Sequence, residues 1–189
     1  MVVDRYSSPG LVVALGLVNQ LVVAEAPDPA VALREVLGFD PTSIRVLGVA
    51  DVPGFDALAH DLHGVFASLD GGDTDSAAAA INVLLAACPA HPHLAKDEDG
   101  AWSVHHQPAK ADLVSSWAAI CAEALARVVG EGRAARARLC EATDCRRAFL
   151  DTTRNGTRRF CSTTCQNRIK AAALRRRRAA HPPEASEHE

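Results

Sequence analysis

Aromatic residues are scarce in this sequence, at 4%, with 2 Trp and 1 Tyr among 189 residues. Hydrophobic residues nevertheless reach 48%, so a sizeable core must be built from Ala, Val and Leu, which favours helices. No uninterrupted apolar run approaches the ~18 residues of a membrane span. The run at residues 11–23 is broken by Asn19 and Gln20. Only Arg5 precedes it and no small-residue cleavage site follows, so we read a buried helix and not a signal peptide. Enzyme signatures are missing too. There is no glycine-rich phosphate loop and no Gly-x-Ser-x-Gly elbow. No histidine stands between His106 and His181, which leaves the cysteine-rich segment without a general base.

What charge there is lies segregated. Residues 1–132 carry 6 Lys+Arg against 17 Asp+Glu, a net of −11. Residues 133–178 carry 14 against 3, a net of +11, and residues 179–189 add three acids. An acidic body joined to a basic module points to a polyanionic partner; the plainer alternative is that the two parts neutralise each other across an interface.

The body reads as α-rich. Asp28-Pro29 pairs an N-cap with proline at the first helical position and predicts a helix over 29–38. Phe55, Leu58, Leu62, Val65, Phe66 and Leu69 recur near helical spacing over 53–69. Residues 74–88 are alanine-rich and helical up to Pro89. Segments 93–96 and 102–105 flank Asp97-Glu98-Asp99-Gly100, an Asp-Gly hairpin signal. A long amphipathic helix over 109–129 carries Leu113, Trp117, Ile120, Cys121, Ala124 and Val128. Gly130-Glu131-Gly132 follows and sets the expected boundary between a body at 1–132 and a module at 133–178. Cys88 and Cys121 read as core residues. His60 and His63, with His91, His93, His105 and His106, read as polar positions, with a second metal or a pH switch as the sharper alternative.

The module is organised by Cys140-x4-Cys145-x15-Cys161-x3-Cys165. Two close pairs joined by a longer loop suit one tetrahedral Zn²⁺, and four thiolates close its shell, leaving no position for catalytic water. Clustered cysteines in a chain read as lacking a signal peptide indicate a reducing compartment, the cytoplasm. Residues 147–151 and 157–161 are expected to pair across Asn155-Gly156. Ser162 or Thr163 caps a helix running to about residue 178; with Thr163 as cap, Gln166 completes a capping box. Asp151 reads as a turn or salt-bridge residue. Residues 179–189, with Pro182-Pro183 and the acids, read as a disordered tail. The expected fold is mainly α, with a small β-hairpin in the N-terminal domain and a C-terminal treble-clef-like zinc finger of knuckle, hairpin and helix.

The segment Phe149-x-Asp151-Thr152-x-Arg154-Asn155-Gly156-x-Arg158-Arg159-Phe160-Cys161-x3-Cys165-x-Asn167-Arg168, with Cys140 and Cys145 before it, resembles the finger of the CGNR zinc-finger proteins. Gln166 stands where the name-giving motif has Gly, and Phe160 where Trp is usual. If that glycine served positive φ or close approach to DNA, Gln166 would be damaging. In plain helix Gln is the better former by about 0.7 kcal/mol, and we expect plain helix. The first 132 residues resemble, more loosely, the ABATE domain that precedes such fingers, through Val18-Asn19-Gln20, the hairpin at Trp102 and the long helix before the finger. The resemblance implies a stress-linked bacterial transcription regulator with an α-rich sensor or dimerisation domain.

The expected function is therefore a non-enzymatic, zinc-containing, DNA-binding regulator. Arg154, Arg158 and Arg159 would contact phosphate from the hairpin, and Arg168, Lys170, Arg175, Arg176, Arg177 and Arg178 from the terminal helix. Asn167 would read a base edge or stitch the knuckle through its amide. RNA fits the same electrostatics with a weaker stacking platform. A homodimer would supply two half-sites, and a small-molecule effector would act at the body. The alternatives are a protein-interaction module gripping an acidic partner without DNA contact, and a small-molecule binder whose finger only stabilises a dimer.

Overall fold

The computed structural model describes residues 8–87, 93–96, 100–105 and 112–180. Cys88, Pro89, His91, His106, the turn residues 97–99 and the tail 181–189 lie outside the described residues, as do the side chains of His93, His105 and Arg178.

Helix α1 (Pro9–Leu17) starts where the Ser8 hydroxyl accepts from the Leu11 N–H at 3.3 Å, and continues as a π-helical turn, Val18–Val23. Helices α2 (Pro29–Leu37) and α3 (Pro41–Val46) begin alike. Asp28 accepts from the N–H groups of Ala30 and Val31, and Asp40 from those of Thr42 and Ser43. The sequence reading places no helix at α3, although Asp40-Pro41 repeats the Asp28-Pro29 signal. Helix α4 (Val52–Asp70) buries all six of the apolar positions named for it. Helix α5 (Thr74–Ala87) follows the Gly71-Gly72 break. Strands β1 (His93–Lys96) and β2 (Trp102–His105) pair antiparallel as expected, Lys96 opposite Trp102. Helix α6 (Leu113–Gly130) is capped by Asp112, which accepts from the Ser115 N–H at 2.9 Å.

Helices α1, α4, α5 and α6 pack around Leu17, Phe55, Leu62, Phe66 and Leu125, all fully buried. Each such side chain contributes about 1.5–3 kcal/mol of burial. Helix α1 comes so close to α6 that a Cβ on Gly10 would lie 2.3 Å from the Ile120 carbonyl oxygen. By length and composition α6 is apolar enough to cross a membrane, but Trp117, Cys121, Leu125 and Val128 are buried in the core.

The finger starts with β3 (Ala137–Leu139), which pairs antiparallel with β4 (Ala148–Leu150), Leu139 opposite Ala148. Helix α7 (Thr163–Ala180) ends the described chain. The expected pairing of 147–151 with 157–161 is thus corrected: the partner of β4 precedes the first cysteine. Two causes are visible. Ala137, Leu139, Ala148 and Leu150 are buried in the body's core, so pairing β3 with β4 seals an apolar strip. Meanwhile the Asp151 carboxylate accepts the N–H groups of Thr153 and Arg158, at 2.9 and 2.7 Å, the second of which lies in the segment expected to form a ladder. Asn155-Gly156 still turns the chain, with Gly156 at φ +62°, but it joins no two strands.

Two side chains of the body hold this hairpin. The Asn19 carboxamide, in the π-helical turn, donates to the Ala148 carbonyl at 2.9 Å and accepts from the Ala148 N–H at 2.8 Å. It bonds to β4 as a neighbouring strand's peptide would. Asp70, at the end of α4, accepts the Leu139 N–H at 3.2 Å and lies 3.9 Å from Arg138.

Candidate metal centre and nucleic-acid interface

β3, the knuckle and the start of α7 bring four thiols together. Cys140 follows β3, Cys145 lies in the knuckle, Cys161 ends the returning loop and Cys165 stands in the first turn of α7. Their sulfurs all lie within 4.8 Å of one another. Cys145 Sγ is 3.6 Å and Cys165 Sγ is 3.7 Å from Cys161 Sγ. Four Zn–S bonds of about 2.3 Å in a tetrahedron set sulfurs about 3.8 Å apart, so the site fits one structural zinc ion. Ala142 and Phe149 are buried beside the sulfurs, and Phe160 and Ile169 pack on them. The Cys161 N–H points at Cys140 Sγ at 3.4 Å. Among the described residues no other group of three or more metal-ligating side chains converges, so His60 and His63 belong to no second metal set there.

The thiols differ before metal binds. A hydrogen bond with Ser162 leads the causes that lower Cys165 to about 7. Burial, then the neighbouring thiols, push Cys161 up to about 12. Ser162 is also the helix cap: its Oγ accepts the Cys165 N–H at 3.2 Å. The Thr163 capping box therefore does not form, and Gln166 sits one position further into α7 as an exposed helical residue. The reading of Gln166 as plain helix stands.

The basic residues divide into two groups. Some hold the finger together. Arg158 Nε donates to the Phe160 carbonyl at 2.7 Å, its other end to the Cys161 carbonyl, and its guanidinium lies 5.3 Å from the Phe149 ring centre. Arg136, which the sequence reading did not single out, donates to the carbonyls of Asp151, Thr153 and Arg154. Arg159 is exposed but binds Glu141, holding that carboxyl below its usual range. Asp151 is buried; burial alone would raise its carboxyl, yet the bonds from Thr153 and Arg158, with Arg136 nearby, leave it lowered. It is a turn residue, as read.

The second group faces outward. Arg154, Asn167, Arg168, Lys170, Arg175, Arg176 and Arg177 are exposed. Among the described residues none of these cations pairs with a carboxylate. The Asn167 amide makes no hydrogen bond among the described residues, so it does not stitch the knuckle. A groove of about 590 Å³ runs between the 153–160 loop and the start of α7, lined by Arg154, Arg159, Thr157 and Thr163. Arg146 and Arg147, both exposed in the knuckle, were missed in sequence because they directly follow Cys145, outside the longer basic runs of the loop and α7.

Comparison with known proteins agrees with this architecture. A family model described as "CGNR zinc finger" matches residues 136–178. Another, named ABATE and described as "Putative stress-induced transcription regulator", matches residues 3–132. Both descriptions are of a regulator and a zinc finger, not of an enzyme class. No curated protein matches the chain. With more than half of its length matched by that model, the chain belongs to the ABATE family and carries a CGNR zinc finger at its C-terminal end.

Proposed function

We propose that this zinc-binding regulator acts on DNA through the outer face of α7. The supporting observation is how that helix divides its side chains. Cys165, Ile169, Ala172 and Ala173 turn toward the finger. At about 100° per residue, the opposite face is centred on Asn167, Ala171 and Leu174. Arg168 and Arg175 border it on one side, Lys170 and Arg177 on the other. A polar and apolar centre between two basic edges is what a helix lying in the major groove requires. Asn can pair with an adenine edge, an apolar side chain can meet a thymine methyl, and the cations reach the two phosphate walls. Leu174 is 49% exposed and so is free to make such an apolar contact.

Arg154 and the 153–160 groove extend the phosphate surface around the N-terminal end of α7. Arg158 is reserved for the loop, and Arg159 would have to leave Glu141 to reach a phosphate. We keep the division into a body at 1–132 that dimerises, senses a small molecule or both, and a finger from 133. One finger covers little DNA, so useful specificity calls for a homodimer on two half-sites. The expected compartment is the cytoplasm, where thiols stay reduced.

Selection of genomic fragments by zinc-loaded full-length protein at two salt concentrations tests this reading. A Cys161→Ser, Cys165→Ser variant is the control. A recurrent inverted repeat that survives the higher salt and needs the cysteines is expected. Arbitrary DNA that washes off as salt rises would reduce the arginines to non-specific cations and favour an acidic protein partner instead.

A further inference from the structure

The groove of about 590 Å³ beside α7 has two walls. One is the start of α7, with Thr163 and Gln166; the other is the 153–160 loop, with Arg154, Asn155 and Thr157. Among the described residues its lining holds no carboxylate and no zinc ligand, so the charge there is that of its arginines. The volume lies within the roughly 300–1,000 Å³ that takes whole small molecules, and so admits a phosphodiester with its sugars. Helical geometry sets the side of α7 on which the groove lies. At about 100° per residue, Thr163 and Gln166 stand about 40° and 100° from Asn167, in the same sense as Lys170 and Arg177 at about 60° and 80°. The loop is therefore outside the Lys170–Arg177 edge. With α7 in the major groove, the phosphate strand along that edge runs between α7 and the loop. The loop then meets the duplex on the far side of that strand, where the minor groove lies.

The loop is held firmly in that place. Arg136 donates to the carbonyls of Asp151, Thr153 and Arg154, and the Asp151 carboxylate accepts the N–H groups of Thr153 and Arg158. At its tip Arg154 and Asn155 are exposed, and neither side chain has a hydrogen-bond or carboxylate partner among the described residues. A fixed backbone that presents two unpaired donor side chains loses little freedom on binding. We propose that Arg154 and Asn155 enter the minor groove beside the base pairs faced by α7 and select A·T pairs there. At A·T the floor of that groove offers only acceptors, adenine N3 and thymine O2, whereas guanine adds an amino donor that opposes a guanidinium or an amide N–H. A narrow A·T groove also concentrates negative potential, which favours Arg. Arg158 donates within the loop and Arg159 to Glu141, so neither replaces Arg154. Minor-groove entry rests on the DNA reading of α7 and adds a second place where sequence is read.

Competition binding by the zinc-loaded full chain tests this, on duplexes that keep the core recovered by genomic selection and vary the pairs flanking it on both sides. Inosine·cytosine pairs present the major-groove edge of G·C with the minor-groove edge of A·T, and diaminopurine·thymine pairs do the reverse. A·T and inosine·cytosine flanks should bind alike, and G·C and diaminopurine·thymine flanks about tenfold more weakly. Arg154→Ala should bring all four flanks to within about twofold of one another, with zinc content unchanged. Three results would overturn the proposal: inosine·cytosine ranks with G·C, all four flanks bind the parent alike, or Arg154→Ala keeps the parent's ranking. A single-stranded oligonucleotide bound more tightly than any duplex would also overturn it, by giving the groove to unpaired nucleic acid. If selection recovers no recurrent sequence, the DNA reading fails and minor-groove entry falls with it. If a recurrent core is recovered and its flanks bind alike, minor-groove entry alone fails.

Discussion

Asn19 shows how one amide can join two parts of a chain 129 residues apart. Asn19→Ala would strand both the N–H and the carbonyl of Ala148, which is 2% exposed. We expect a loss of about 2–3 kcal/mol in urea unfolding of the zinc-loaded protein. Asn19→Asp keeps an acceptor but sets a carboxylate against a carbonyl, and should fare no better. Asp151 is a comparable single point of failure within the finger. Its carboxyl is lowered in the folded chain, so its contribution is complete above the unfolded value of about 3.9 and fades as pH falls toward the folded value. Asp151→Asn should lower stability at neutral pH by about 1–3 kcal/mol. Its stability should also change less than the parent's between pH 5 and pH 3; parallel pH profiles would contradict the assignment.

Helix contacts set different limits. The α1–α6 crossing depends on Gly10, because a methyl there meets the Ile120 carbonyl at 2.3 Å and backbone must move. Gly10→Ala is expected to cost about 1–3 kcal/mol by overpacking, despite its better helix propensity, and a thermal melt would read it. For α7 the prediction concerns recognition. Asn167→Ala should relax preference at one base pair by about 1–3 kcal/mol in competition assays, leaving zinc content intact. Arg175→Ala should weaken all sequences alike and reduce the slope of log K against log salt by about 0.9. If both variants lost affinity uniformly, α7 would be a phosphate clamp without a reading face.

For the whole molecule, the finger and body share structure despite their opposite charges. The β3–β4 hairpin puts Ala137, Leu139, Ala148 and Leu150 into the body's core while Phe149 packs on the zinc ligands. Removing zinc should therefore destabilise the body as well as the finger. The protein has 2 Trp, so a Trp102→Phe background leaves Trp117, buried under α3, to report on the body. A chelator should lower the thermal midpoint of the Trp117 signal; an unchanged midpoint would mean that the hairpin holds its place without metal. Acidic body and basic helix, by contrast, meet little. The ion pairs between body and finger among those described join Asp70 to Arg138 and, at the boundary itself, Glu131 to Arg133, and α7 takes part in neither. Among the described residues, masking of the α7 cations by the body therefore finds no support.

Elements whose causes lie close together along the chain could be read directly. The zinc set is legible because its pairs are four or five residues apart, α2 because Asp28 and Pro29 are neighbours, and β1–β2 because only five residues separate its strands. The apolar face of α4 follows from its own period. What escaped the sequence depended on groups that meet only after folding. β3 chose β4 because their four apolar side chains complete a core formed by distant helices. The Asn155-Gly156 turn was rightly seen, but whether strands followed it rested on where Asp151 sent its carboxylate. Arg158 looked like its neighbours in the basic run until carbonyls closed around it. Local patterns fix dihedrals and ligand spacing through neighbours in sequence. Partner choice for a strand, an amide or a guanidinium is a competition among groups far apart in the chain, and the assembled core settles it.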